Sequence, residues 1–331
     1  MVMAQKLSRR LSGLMIDDVF LQKLFSSDKR TVARAISIVE DQEDSALELL
    51  EKAHDRFGHA YRVGVTGPPG AGKSTIVSKL AKIINDKGKK VGIIAVDPTS
   101  PYTGGALLGD RIRMMELSSR DGIFIRSMAT RGSLGGLSRT SQQAADVLDA
   151  AGYDYVFLET VGVGQSELDI VEAADTTVVI LTPESGDSIQ AMKAGLMEIA
   201  DFFVINKADR PGTDQSVSAI TTILQISSSQ NKFENGWQPF VVKAIAYENK
   251  GIDEITKGIE KHSDYLRRTG RLSAKRKGRV RKSIIEMVDQ DLHDRCWTSE
   301  RLSELDEKLD LVTSRKMSPF QLAQIILRKT L

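Results

Sequence analysis

Between residues 67 and 75 the chain reads Gly67-Pro68-Pro69-Gly70-Ala71-Gly72-Lys73-Ser74-Thr75. This is the GxxxxGK[ST] pattern, and its residue types define a chemistry. Gly67, Gly70 and Gly72 let the main chain wrap closely, so that successive N–H groups and a helix N-terminus face an anion. Lys73 then reaches the β- and γ-phosphates, and the Ser74 hydroxyl ligates Mg²⁺. The run Arg62–Thr66 precedes the loop and a helix-competent stretch follows it. That strand–loop–helix context is the one the motif requires, so the whole segment from Gly67 to Thr75 is expected to cradle a nucleoside polyphosphate.

A second cluster bears on the base. Asn206-Lys207-Ala208-Asp209 follows the apolar run Asp201–Ile205, which is the NKxD pattern in the place where it reads guanine. An aspartate accepts two hydrogen bonds, from the guanine N1–H and the exocyclic amino group. Adenine offers neither donor there, so the carboxylate would stay unpaired and ATP would be rejected. Asn206 either contacts the base or holds the loop, and the Lys207 stem covers the ring face. A last base-contacting loop is expected at Ile245-Ala246-Tyr247, where the usual serine is missing but Ala246 can offer a backbone N–H to the guanine carbonyl.

Carboxylates suited to a hydrated Mg²⁺ fall at or after strand ends: Asp97, Asp110 and Glu159. With Lys73 they are the candidate catalytic residues, and with Ser74 the candidate metal ligands. Glu159-Thr-Val-Gly162 occupies the position of DxxG, with the Gly162 N–H toward the γ-phosphate. Val163 stands where many small GTPases carry a water-orienting glutamine, and Gln165 is a poor substitute, so intrinsic hydrolysis should be slow. Arg131 offers a further charge to the phosphates, although isolated loop arginines are mostly solvated.

The elements that must position these groups follow from patterning. β-Branched runs at 62–66, 91–96, 123–126, 154–159, 176–181, 201–205 and 239–243 alternate with helix-competent stretches at 73–87, 137–151, 188–199 and 213–226. Such alternation specifies an α/β fold with a mainly parallel sheet flanked by helices. Runs such as VGIIAV and TTVVIL are apolar almost throughout and suit strands buried on both faces. Residues 1–60 read as helical, with Asp28 and Ser45 as helix starts, and the helices after 266 carry the chain to its end. The expected organisation is therefore an N-terminal helical extension (1–60), a nucleotide domain (61–266) and a C-terminal helical arm (267–331).

Composition narrows the class further. At 331 residues, 41% hydrophobic and 27% charged, with a net charge of +2, the chain is globular and carries no field that would draw it to nucleic acid or an anionic membrane. Residues 267–282 hold nine basic residues without an aromatic for base stacking, and read as a solvated helix or linker rather than a nucleic-acid arm. Lys6, Arg9 and Arg10 read as a surface helix rather than a presequence. Cys296 is the one cysteine, which fits a reducing compartment, and no stretch approaches the ~20 apolar residues of a membrane span.

Together these residues resemble the methylmalonyl-CoA mutase-associated P-loop GTPases, the MeaB/ArgK group. The likeness runs through the phosphate loop, AVDPTSPYTGGALLGDRIRM (95–114), RGSLGGL (131–137), LETVGVGQSELDI (158–170), LTPESGDSIQAMKAG (181–195) and NKAD, and reaches into the helical flanks. It implies a Mg²⁺-dependent GTPase that hydrolyses GTP to GDP slowly and chaperones an adenosylcobalamin-dependent acyl-CoA mutase. It also implies a homodimer formed through the C-terminal arm, and a cytoplasmic or, in a eukaryote, mitochondrial-matrix location. The loop from Thr182 to Lys193, including Asp187, maps to a switch toward the partner. Two alternatives are a kinase of a lysine/arginine/ornithine transport system, against which NKAD argues, and a metal-insertion GTPase. The latter needs clustered His or Cys, whereas His54, His59, His262 and His293 are scattered.

Overall fold

A computed structural model describes residues 16–97, 117–129, 139–160, 166–183, 195–229 and 236–328. Three helices come first: α1 (Asp18–Phe25), α2 (Lys29–Glu40) and α3 (Ala46–Ala53). Asp28 caps α2 as expected, accepting the Thr31 N–H at 2.9 Å. Ser45 precedes α3 but makes no capping bond. Its backbone, at φ −80° and ψ −4°, is already helical, whereas a capping side chain needs an extended residue. The basic segment with Lys6, Arg9 and Arg10 lies outside the described residues.

Each β-branched run falls on one strand: β1 (Tyr61–Thr66), β2 (Val91–Asp97), β3 (Ile123–Ala129), β4 (Tyr155–Thr160), β5 (Thr176–Leu181), β6 (Phe202–Ile205) and β7 (Val241–Lys243). Between and after them lie α4 (Lys73–Asp86), α5 (Arg139–Ala150), α6 (Ser166–Ala173), the single turn α7 (Leu196–Ile199), α8 (Thr213–Ser229) and α9 (Ile252–Arg268). The strands form one sheet in the order β3-β2-β4-β1-β5-β6-β7. All its pairings are parallel, beyond the mainly parallel sheet expected. β1 sits between β4 and β5, where the chain passes from one half of the sheet to the other, the switch point at whose C-terminal strand ends open α/β sheets bind ligands.

Side chains alternate between two buried layers. Val63, Val65, Ile93, Phe157 and Val178 pack beneath α4 and α9, against Ile76, Leu80, Ile255 and Ile259. On the opposite face Ile94, Val96, Val156 and Leu158 meet Leu148 of α5 and the apolar stripes of α1–α3, including Leu24, Ile36, Val39 and Leu49. The first helices thus share a core with the sheet. A third cluster joins Val179, Leu181, Phe203 and Ile205 to Ile220 and Leu224 of α8.

The chain divides into two compact units, Met1–Ser273 and Ala274–Leu331. The long helix α10 (Arg271–Cys296) begins in the first, and α11 (Ser299–Thr313) and α12 (Pro319–Arg328) complete the second. The basic stretch 267–282 is therefore largely helical. Val280, Ile284, Val288 and Leu292 on α10 are all exposed, at helical spacing. Among the described residues no helix is long and apolar enough to cross a membrane.

Entry into β1 depends on Asp149 of α5. Its buried carboxylate accepts the N–H groups of Gly58 at 2.6 Å, His59 at 3.1 Å and Ala60 at 2.8 Å. Asp149→Ala removes an acceptor from three amides and should cost about 2–4 kcal/mol in denaturant unfolding. A loss below about 0.5 kcal/mol would mean that the segment finds equivalent partners.

Candidate functional site

The phosphate loop leaves β1 at Thr66 and enters α4 at Lys73. Gly67 has φ 137°, and a Cβ there would stand 1.9 Å from the Ile180 carbonyl oxygen of β5. Gly72, at φ 89°, would place a Cβ 2.3 Å from Asn206 Nδ2. Only glycine satisfies both the backbone angle and the approach. Pro69 and Gly70 form the exposed apex, while Ala71 is buried. Lys73 is 6% exposed, and its ammonium donates to the carbonyls of Gly67 at 2.7 Å and Pro68 at 2.9 Å. The charge therefore lies inside the curve of the loop, where a polyphosphate would lie.

At the next strand end, Ser74 Oγ donates a hydrogen bond to Glu159 Oε1. Glu159 is buried near the end of β4, in register with Val65 of β1 and Ala95 of β2. Just beyond it, Thr160 Oγ1 donates to Thr66 Oγ1 at 2.9 Å, pinning β4 to β1 where the phosphate loop departs. Asp97 is placed by its backbone as the last residue of β2, one step past the Val96–Thr160 pairing. Ser74 and Glu159 are hard oxygen donors in contact, the type of ligand that Mg²⁺ selects. Asp110, Gly162, Val163, Gln165, Arg131, Asp187 and Lys193 lie outside the described residues.

Asn206 joins this assembly to the base-reading loops. It follows β6, and its own N–H donates to the Leu181 carbonyl at 2.8 Å. Its side-chain Nδ2 donates to the Ala71 carbonyl at 2.8 Å, and its Oδ1 accepts the Ala246 N–H at 3.1 Å. Asn206 is therefore a strut between the phosphate loop and the 245–247 loop. The Ala246 N–H thus meets the side-chain amide of Asn206 in this structure.

Lys207 adopts left-handed backbone, φ 57°, a sparsely populated region for a residue with a side chain. The Ala208 N–H donates to the Ala244 carbonyl at 3.0 Å. Asp209 is presented at the exposed end of this turn, and Tyr247 Oη donates to its Oδ2 at 3.3 Å. The structure thus gathers Gly67–Thr75, Glu159, Asn206–Asp209 and 245–247 at one edge of the sheet. Sequence reasoning missed the Thr66–Thr160 pair. Its one signal was a hydroxyl at the end of each of two apolar runs.

Asn206→Ala leaves a buried carbonyl and a buried N–H to find new partners, and should cost about 2–4 kcal/mol. Hydrogen exchange at the Ala246 amide should accelerate with it. Unchanged protection at Ala246 would show that the strut is dispensable.

With the fold and site in view, relatives can be compared. A protein of Pyrococcus abyssi is 47% identical over 315 residues, covering 95% of this chain and 97% of its own. The GTPase ArgK of Escherichia coli is 36% identical over 287 residues, 85% of this chain and 86% of its own. A crystal structure described as a LAO/AO transport system kinase superposes with a TM-score of 0.69 at 27% identity, covering 95% of this chain and 99% of that one. Residues 32–301 match the family described as methylmalonyl Co-A mutase-associated GTPase MeaB. The chain belongs to the MeaB family of P-loop GTPases.

Proposed function

We propose that this protein binds Mg²⁺ and GTP, hydrolyses GTP slowly to GDP, and uses its nucleotide state to gate adenosylcobalamin loading and to protect a cobalamin-dependent acyl-CoA mutase. The observation that carries this reading is the Asn206 strut, which sets the phosphate loop and the NKAD turn into one site. Lys73 meets the β- and γ-phosphates, and Asp209 accepts the two donors of the guanine edge. Ser74 and Glu159, with Asp97 and Asp110, hold the metal. Mg²⁺ held there would supply positive charge to offset that of the phosphate oxygens. Val163, where a water-orienting glutamine would stand, supports a slow intrinsic rate.

The partner assignment is supported by the family's association with methylmalonyl-CoA mutase. In this reading the loop from Thr182 to Lys193, with Asp187, transmits the nucleotide state to the mutase. The C-terminal helices, from about residue 267, form the arm of a homodimer. The exposed Val280, Ile284, Val288 and Leu292 on α10 suit such a seam. The extension 1–60 and the nucleotide domain 61–266 work in the cytoplasm, or in the mitochondrial matrix of a eukaryote.

Turnover of GTP and ATP by the purified protein, alone and with an acyl-CoA mutase, tests the reading. GTP-only turnover that rises with the mutase is expected. ATP turnover with label passing to a protein would favour a transport-system kinase instead. Lys73→Ala should lower kcat/KM for GTP by about 10²–10³, and wild-type hydrolysis in that variant would remove the loop from the chemistry. Asp209→Asn should shift preference from GTP toward xanthosine triphosphate, and an unchanged preference would move the base site elsewhere.

A further inference from the structure

The third residue of the 245–247 loop is a tyrosine whose ring is exposed but whose hydroxyl is engaged. Tyr247 is 64% exposed, yet its Oη donates to Asp209 Oδ2 at 3.3 Å. The turn that carries it is closed. Ile245 and Lys250 exchange backbone hydrogen bonds at 2.9 and 3.2 Å, Asn249 turns the chain in left-handed backbone at φ 59°, and Ala246 is tethered to Asn206. The hydroxyl is thus delivered by a constrained loop to an exposed carboxylate.

We propose that Tyr247 is a positioning residue for base discrimination: its hydroxyl fixes the rotation of the Asp209 carboxylate so that both oxygens meet the two donors of the guanine edge. This rests on the guanine reading above. An aspartate's terminal torsion is broad, so an exposed carboxylate with no fixed donor samples many orientations. Bidentate reading of guanine needs one of them. A single hydroxyl hydrogen serves one acceptor at a time, and Glu248 is the competing carboxylate. Lys250 pairs with Glu248 at 2.6 Å, so that carboxylate has a donor of its own. The phenol remains a donor at neutral pH. Its pKa is pushed up to about 12, first by the hydrogen bond with Glu248, then by desolvation and the nearby Asp209 charge.

The discriminating measurement is calorimetric binding of GDP, IDP and ADP to the full chain, as wild type, Tyr247→Phe and Tyr247→Leu. Hypoxanthine keeps the N1–H but lacks the amino group, so it needs only one carboxylate oxygen. Loss of the hydroxyl should therefore weaken GDP more than IDP, and lower the GDP-to-IDP preference about three- to fivefold in both variants. Three outcomes would overturn the proposal. In one, the preference stays at the wild-type value. In another, GDP and IDP weaken equally, which is the mark of a general loop defect. In the third, Tyr247→Phe behaves as wild type while Tyr247→Leu falls, which would assign the effect to the ring. Wild-type protein that binds ADP as tightly as GDP would fell the guanine reading itself, and this inference with it.

Discussion

Every strand of the sheet runs in the same direction, and the site depends on that constraint. In a parallel sheet all strand C-termini reach one edge, so the segments that follow β1, β2, β4, β6 and β7 emerge side by side. Ser74 and Glu159, far apart in the chain, meet because β1 and β4 are neighbours whose ends are in register. An antiparallel neighbour would have carried Glu159 to the opposite edge. The crossover helices that parallel pairing demands also bury both sheet faces, which explains why every residue of β1 and β5 is buried.

Within that frame the tightest junctions are polar and close to backbone. Gly67 passes against β5, Gly72 against Asn206, and the Asn206 amide satisfies a carbonyl on one loop and an N–H on another. A carboxamide suits this place because it is both donor and acceptor and carries no charge into a buried position. Lys73 is the one cation described within the phosphate loop, and the loop's own carbonyls hold it in the curve. The phosphate loop, Glu159, the start of the NKAD turn and the 245–247 loop are therefore joined by a shared set of polar contacts.

The rest of the chain divides its labour. α1–α3 share the core of one sheet face and belong with it to the first unit. The second unit, Ala274–Leu331, is rich in exposed apolar side chains along α10 and α11, among them Val280, Ile284, Leu302 and Leu309. Such faces are expected to find a partner surface.

By themselves, the residues and their spacing determined the phosphate loop, the NKAD turn, the seven strands and the α/β class. Each of these is written in a local code: glycine at angles that only glycine adopts, β-branched runs of strand length, a cap such as Asp28 before an apolar stripe. The family likeness could also be read from contiguous blocks. The tertiary structure alone decided the strand order, the union of Ser74 with Glu159, and the Thr66–Thr160 bond. It also made Asn206 a strut between two loops, set the Ala246 N–H on its side chain, and brought Tyr247 to Asp209. These depend on which strands become neighbours and on angles set by packing, and no window along the chain contains both partners. Ser45 makes the same point at short range. The residue type suits a cap, but the backbone entered the helix one residue early and left its hydroxyl without that role.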